Sequence, residues 1–224
     1  MEWLLEYGEA RLKVVCSKNL RYESSARLVE IYDDLVDYIN RYPLFKISYE
    51  PVEVGPDVAE IVRLMSKSAF LAGVGPMASV AGAFSQLIGE YLVGCGGEDV
   101  IVDNGGDIYL NLTSEKVVGL YAGHSPVSGR ISLRVKPDET PVGVCTSSAS
   151  VGPSISLGDS DAVTVVADSS AIADAAATAI GNVVRGGSGV ELGIKTAKGL
   201  ECVRGVIIVS GERMGCFGNL PEIK

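Results

Sequence analysis

One run restricts this chain more than any other: Ala171-Ile-Ala-Asp-Ala-Ala-Ala-Thr-Ala-Ile-Gly181, where Asp174 and Thr178 are the only polar side chains among small and apolar ones. So many alanines predict a helix with slender sides, able to pack closely against a sheet and left with little surface for solvent. Asp174 and Thr178 stand four residues apart and therefore share one face of it. A carboxylate and a hydroxyl side by side suit a hard cation such as Mg²⁺ or Ca²⁺. The pair also has a purely local explanation, in which the Thr178 hydroxyl bonds back to the Asp174 carbonyl and the carboxylate faces water or a neighbouring backbone N–H.

The rest of the composition narrows the classes. With 224 residues, 47% of them hydrophobic, the chain can bury a sizeable core, and a single domain over 1–224 is the expectation. The longest apolar run, 69–92, is interrupted by Gly, Pro, Ser, Gln and Glu, so it reads as buried helix rather than membrane span. No basic region precedes an apolar stretch at the N-terminus, so no secretory signal is expected and a cytoplasmic location is. Cys16, Cys95, Cys145, Cys202 and Cys216 are scattered without a Cys-x-x-Cys pair, which argues against a disulfide framework and against zinc. A net charge of −9 with no Lys/Arg-rich run argues against nucleic acid or an anionic membrane as partner. A small anion remains acceptable if backbone dipoles or a metal ion hold it.

Along the chain, residues 11–17 alternate as a strand, and Ser24 or Ser25 is placed to cap an amphipathic helix over 26–41. A short strand near 46–50 and a helix over 57–71 follow. Gly73-Val-Gly-Pro76 then turns the chain and delivers Pro76 to the first position of a helix over 76–93, which carries Ala78, Ala81, Gly82, Ser85 and Gly89, small enough for close backbone approach. Strands are predicted at 100–103, 107–112, 116–122, 130–135 and 142–145, in the manner of an antiparallel meander. A strand at 161–167 feeds the Asp174 helix, a helix near 188–198 follows, and strands 203–209 and 213–217 form a closing hairpin. Helices bracketed by antiparallel strands give an α+β class. Small helices beside a sheet also permit a homodimer.

Three further segments carry chemical content. The Gly73-x-Gly-Pro turn offers free N–H groups and a positive helix end to a phosphate, although such turns also serve as plain connections. Val102-Asp-Asn-Gly-Gly-Asp-Ile108 places two glycines between strand ends, where backbone can approach a ligand between Asp103 and Asp107, or simply reverse direction. Cys145-Thr-Ser-Ser-Ala-Ser-Val-Gly-Pro-Ser-Ile-Ser is a loop of hydroxyls fit to bond a ribityl, ribose or phosphate oxygen. The one histidine, His124, lies a strand away in a Gly-His-Ser-Pro turn, and nothing in the sequence pairs it with Cys145.

Taken in order, these segments and the Asp174 helix resemble the ApbE superfamily, the FAD:protein FMN transferases, and in particular its short uncharacterised branch. The counterparts over roughly residues 66–218 are Gly75-Pro-Met-Ala78, Gly105-Gly-Asp107, Thr146-Ser147 and Ala173-Asp-Ala-Ala-Ala-Thr-Ala179. The resemblance implies a tandem of T-fold-like ββααββ units. It implies a nucleotide pocket lined by Gly75, Met77, Ala78, Asn104, Gly105, Gly106, Asp107, Thr146 and Ser147. It further implies Mg²⁺ held by Asp174, Thr178 and the Ala78 carbonyl, with FAD or FMN as the flavin and FMN passing from FAD to a protein Thr or Ser.

Three departures accompany it. The lysine that follows Ile-Ala in the transferases is Ser79, their His-x-x-Asp-Pro segment is replaced by Gly152-Pro-Ser-Ile-Ser-Leu-Gly158, and their N-terminal flavin motif is not recognisable in residues 1–50. Two other readings stand beside transfer: a protein that binds a flavin or another small ligand without turnover, and an enzyme acting on an unrelated anionic metabolite with Asp107 or Asp159 as general base.

Overall fold

In the computed structural model, residues 1–123, 125–148 and 158–224 are described. The chain opens on a strand that the sequence reading did not place. In β1 (Glu2–Tyr7) Trp3 and Leu5 point inward, and in β2 (Ala10–Val15) Ala10, Leu12 and Val14 do, the period of two expected of a half-buried hairpin. Helix α1 (Arg21–Arg41) buries Leu28, Ile31 and Leu35 on one stripe. It begins before the expected Ser24 or Ser25 cap. Ser24 instead sits buried in the first turn, where its hydroxyl donates to the Leu20 carbonyl at 2.7 Å and accepts from the Trp3 indole at 3.3 Å.

The expected strand at 46–50 is a single helical turn, α2 (Leu44–Ile47), begun by Pro43. Its one deep anchor is Phe45, fully buried, and a segment with one anchor between Pro43 and Pro51 has no second inward position to make a strand worthwhile. Helix α3 (Glu60–Ala72) follows, closed by Gly73 at φ 70°. The expected helix from residue 76 starts as a 3₁₀ turn, Pro76–Ser79, and becomes α4 (Val80–Gly94) only at Val80.

Beyond α4 the strands are β3 (Val100–Asn104), β4 (Asp107–Asn111), β5 (Lys116–Leu120), β6 (Ile131–Val135), β7 (Val142–Ser147) and β8 (Ala162–Ala167). Helices α5 (Ser170–Val183) and α6 (Gly189–Lys198) lead to β9 (Gly205–Ser210), β10 (Arg213–Gly218) and the short β11 (Glu222–Ile223). They do not form the expected meander. Strand β4 pairs with β7, completing an antiparallel sheet ordered β1-β2-β3-β4-β7-β8-β9-β10, while β5 and β6 leave it to form a separate sheet, β11-β6-β5. The reason lies in the residues: Leu120, Leu133 and Val135 bury themselves against Leu110, Val142, Val144 and Ile207 on the back of the main sheet, which needs a second layer rather than two more strands.

The order contains two ββααββ units side by side: β1–β2, helices, β3–β4, then β7–β8, helices, β9–β10. The α+β class and the tandem T-fold-like arrangement are therefore both present. All major helices lie on one face of the main sheet, over two adjoining cores, and the small sheet covers the other. No single helix among the described residues is long and apolar enough to cross a membrane; Glu60–Ala72 and Pro76–Gly94 pass that test only as a pair bent by 101°.

Candidate functional site

The two units meet where α4 crosses the start of α5, and the smallest residue makes the crossing. A Cβ on Gly82 would fall 2.3 Å from the Ser170 carbonyl oxygen and 2.8 Å from the Asp174 Cβ, so only glycine allows this approach. Gln86, one turn further along α4, holds the N-terminus of α5: its amide oxygen accepts from the Ser169 hydroxyl at 2.6 Å and from the Ala171 N–H at 3.4 Å. With the backbones this close, the Gly82 N–H donates to Asp174 Oδ2 at 2.9 Å. In an uninterrupted α-helix that N–H would close on the Ala78 carbonyl. The change from 3₁₀ to α winding at Val80 releases it.

The glycine hairpin docks on the same place. Gly105 and Gly106 take φ of 69° and 106° between paired Asn104 and Asp107, the two-residue turn whose central positions need positive φ. The Asp103 carboxylate braces the turn from the opposite face of β3, accepting from the Gly106 N–H at 2.8 Å. Asn104 donates to the Ala81 carbonyl at 3.4 Å, and the Ser85 hydroxyl donates to the Asp107 carbonyl at 2.6 Å. Strand pairing sets Asp107 opposite Cys145, on the face that looks at α5.

Asp107, Cys145 and Asp174 consequently share one buried patch and feel one another. Burial pushes the Asp107 carboxyl up to about 7; the neighbouring Cys145 opposes this, the Asp103 charge adds to it, and the Thr146 N–H opposes it. Burial also raises Asp174 well above the usual carboxylate range, with the Asp107 charge adding and the Gly82 and Ala81 N–H groups opposing. Cys145 is held up by burial and by both carboxylates, and its thiol donates to the Ser170 carbonyl at 3.3 Å. It is a poor nucleophile in this setting. Asp107 Oδ1 is buried without a hydrogen-bond partner among the described residues.

The other expected residues are placed as follows. Thr178 lies one turn beyond Asp174, partly accessible, and no hydrogen bond of its hydroxyl is found among the described residues, so the back-bond to the Asp174 carbonyl is not made. The Gly75 carbonyl accepts from the Ala78 N–H at 3.1 Å, and the half-buried Met77 packs on the first core. The Ser79 hydroxyl is turned inward to the carbonyls of Pro76 at 2.8 Å and Met65 at 3.4 Å. Thr146 bonds Thr164 at 2.8 Å on the far face of the sheet, so it offers the patch its N–H rather than its hydroxyl, whereas Ser147 alternates back to the helix face.

Asp159 is not brought to the patch. It lies exposed at the opposite end of α5, near Val184 and Gly186, about 15 Å along the helix from Asp174. His124 and residues 149–157, including most of the hydroxyl loop, fall outside the described residues. The sequence reading did not assign site roles to Gly82, Ser85 or Gln86; the run of small residues along 78–89 was their signal. Among the described residues no three His, Cys, Asp or Glu side chains form a ready metal cluster, so any cation here would also draw on backbone and hydroxyl oxygens. A concavity of about 300 Å³ lined by Arg27, Glu30, Glu60, Leu87, Glu90 and Tyr91 does not include the carboxylates.

A family model described as AbpE bacteria matches residues 2–199. The chain belongs to this family. A relative, the UPF0280 protein of Methanococcus maripaludis strain C6, is 45% identical over 194 residues, 85% of this chain and 78% of the relative. The UPF0280 protein of Methanocaldococcus jannaschii is 44% identical over 195 residues, 85% of this chain and 79% of the relative. Among solved structures, a point variant of the flavin transferase ApbE from Vibrio cholerae superposes with a TM-score of 0.64 at 11% identity, covering 98% of this chain and 97% of that one. The apo flavinyl transferase ApbE of Pseudomonas stutzeri gives 0.60 at 13% identity, covering 98% and 94%. At such identities these two show that the ApbE fold is shared.

Proposed function

We propose that the seam between the two units binds a flavin nucleotide, FAD or FMN, through Mg²⁺, and that its activity is transfer of FMN from FAD to a Thr or Ser of a protein acceptor. The observation that carries the metal reading is the set of oxygens left over at the crossing. Asp174 is anchored through one oxygen, the Thr178 hydroxyl has no partner among the described residues, and the Ala78 carbonyl has lost the Gly82 N–H. Three hard donors on two elements fit Mg²⁺. The flavin part rests on likeness to the two flavin transferases.

Bound there, Mg²⁺ supplies charge neutralisation to a pyrophosphate. The chain's own part is positioning: Gly105 and Gly106 let backbone approach the nucleotide closely, Asn104 ties that hairpin to α4, and Gly82 and Ala81 hold Asp174 in place. In the transfer itself the acceptor hydroxyl oxygen forms a bond to the FMN phosphorus, the pyrophosphate bond breaks, AMP leaves, and the hydroxyl proton goes to solvent.

A second reading, binding without transfer, is favoured by Ser79, which stands where the transferases carry a lysine and spends its hydroxyl on carbonyls of its own chain. Titration with FAD, followed by flavin fluorescence with Mg²⁺ and then with EDTA, tests the shared part. Saturable quenching lost in EDTA is expected, and Asp174→Ala should abolish it with an unchanged circular dichroism spectrum. Unchanged binding by Asp174→Ala would sink the metal assignment. Incubation of loaded protein with a Thr-bearing peptide then separates the readings: flavinylated peptide means transfer, and bound FAD recovered intact means a carrier.

A further inference from the structure

We infer that Asp107 is a second carboxylate ligand to the same divalent cation as Asp174, so that the protein takes up the metal ion before any nucleotide arrives. This rests on the metal reading above and adds to it both a residue and an order of binding. Among the described residues Asp107 Oδ1 is buried and unpartnered, which is costly for an acid unless something else completes it. Asp107 and Asp174 come from different units, face the same patch and repel each other, yet among the described residues neither has an ion pair with Lys or Arg. A dication between them balances both charges without needing any from the chain.

The surroundings are arranged for a second ligand rather than for a neutral acid. Cys145, directly across the strand pair from Asp107, spends its one S–H on the Ser170 carbonyl at 3.3 Å, and Asp107 Oδ1 is left without a partner among the described residues. The Ser85 hydroxyl anchors the Asp107 backbone at 2.6 Å to α4, the helix that carries Gly82. The backbone that carries the carboxylate is thereby fixed against α4, which supports a metal ligand from behind. With two carboxylates, a carbonyl and a hydroxyl, the site offers four oxygen ligands from protein alone and does not depend on phosphate to retain the ion.

The test uses Mn²⁺ as probe and the electron paramagnetic resonance signal of the free aqueous ion as readout, on the whole chain without flavin. Wild type is expected to bind one Mn²⁺ per chain, Asp174→Asn to lose it, and Asp107→Asn to bind at least tenfold more weakly. In EDTA, Asp107→Asn should melt at or above the wild-type temperature, because the amide removes a like charge beside Asp174. Asp107→Ser replaces it should the amide variant not fold. Mn²⁺ binding by Asp107→Asn as tight as wild type, with Asp174→Asn still defective, would overturn the second ligand and leave the metal reading standing. Wild-type uptake of Mn²⁺ only when FAD is present would overturn the order of binding. No uptake in either condition would remove the metal reading as well.

Discussion

The two ββααββ units solve the same packing problem with different side chains. The first covers its strands with Trp3, Phe45, Met65, Phe84, Ile88 and Tyr109, whereas the second uses Ala173, Ala175, Ala176, Ala177, Val163 and Val165. Large side chains bury more apolar area and hold helices further from the sheet; alanines bury less and let α5 lie nearly on it. The first unit is thus fitted to carry stability, and the second to bring backbone and a carboxylate within hydrogen-bond reach of a neighbouring helix. The carboxylate patch sits where the two styles meet.

The sharpest way to break that contrast is to exchange the errors. Phe45→Ala, which empties a fully buried ring position in the first unit, should cost about 3–5 kcal/mol in denaturant unfolding and leave the metal dependence of FAD binding intact in the fraction that stays folded. Ala176→Leu adds volume where no space exists and should cost about 1–3 kcal/mol, with FAD binding weakened as well because α5 is pushed off α4. Equal effects on binding from the two would remove the distinction.

A smaller effect sharpens it. Asp107, raised to about 7, and Asp174, raised well above the usual carboxylate range, hold protons in the folded protein that the unfolded chain gives up near pH 4. The folded state then binds more protons across that window, so stability falls as pH rises from about 4 to 7. Metal-free protein should melt at progressively lower temperature from pH 5 to pH 8 in scanning fluorimetry, and saturating Mg²⁺ should flatten the trend. Smallest of all, Thr164→Val strands the Thr146 hydroxyl on the far face and should cost about 1 kcal/mol with no change in FAD affinity.

Legibility followed the same division. The alanine run, the double-glycine hairpin and the Gly-Pro turn announce themselves because each depends on local backbone rules, and α5, the β3–β4 hairpin and the Pro76 start all stand within a few residues of where the sequence reading put them. What stayed hidden depends on partners distant in sequence. Nothing local says that β5 and β6 leave the main sheet, since their alternation suits either layer. The face on which Thr146 lies follows from a one-residue step beside Cys145, which only the register decides. The helical turn at Leu44–Ile47 imitates a strand because its one buried Phe45 is flanked by polar and apolar neighbours in alternation. Gly82 was seen as small but not as a donor, because its acceptor is 92 residues away.

That separation has a consequence in time. Hairpins β1–β2, β3–β4 and β9–β10 close over short loops, and the α1 stripe packs within its own unit, so much of the molecule can form from near neighbours. The Gly82–Asp174 contact has to wait for loop closure across almost half the chain. During synthesis the patch cannot exist until α5 has left the ribosome, and in refolding it should be among the last features to appear. An ion or nucleotide captured there grips the final step of assembly, and its principal mark on the protein's lifetime would be a slower return to the unfolded chain.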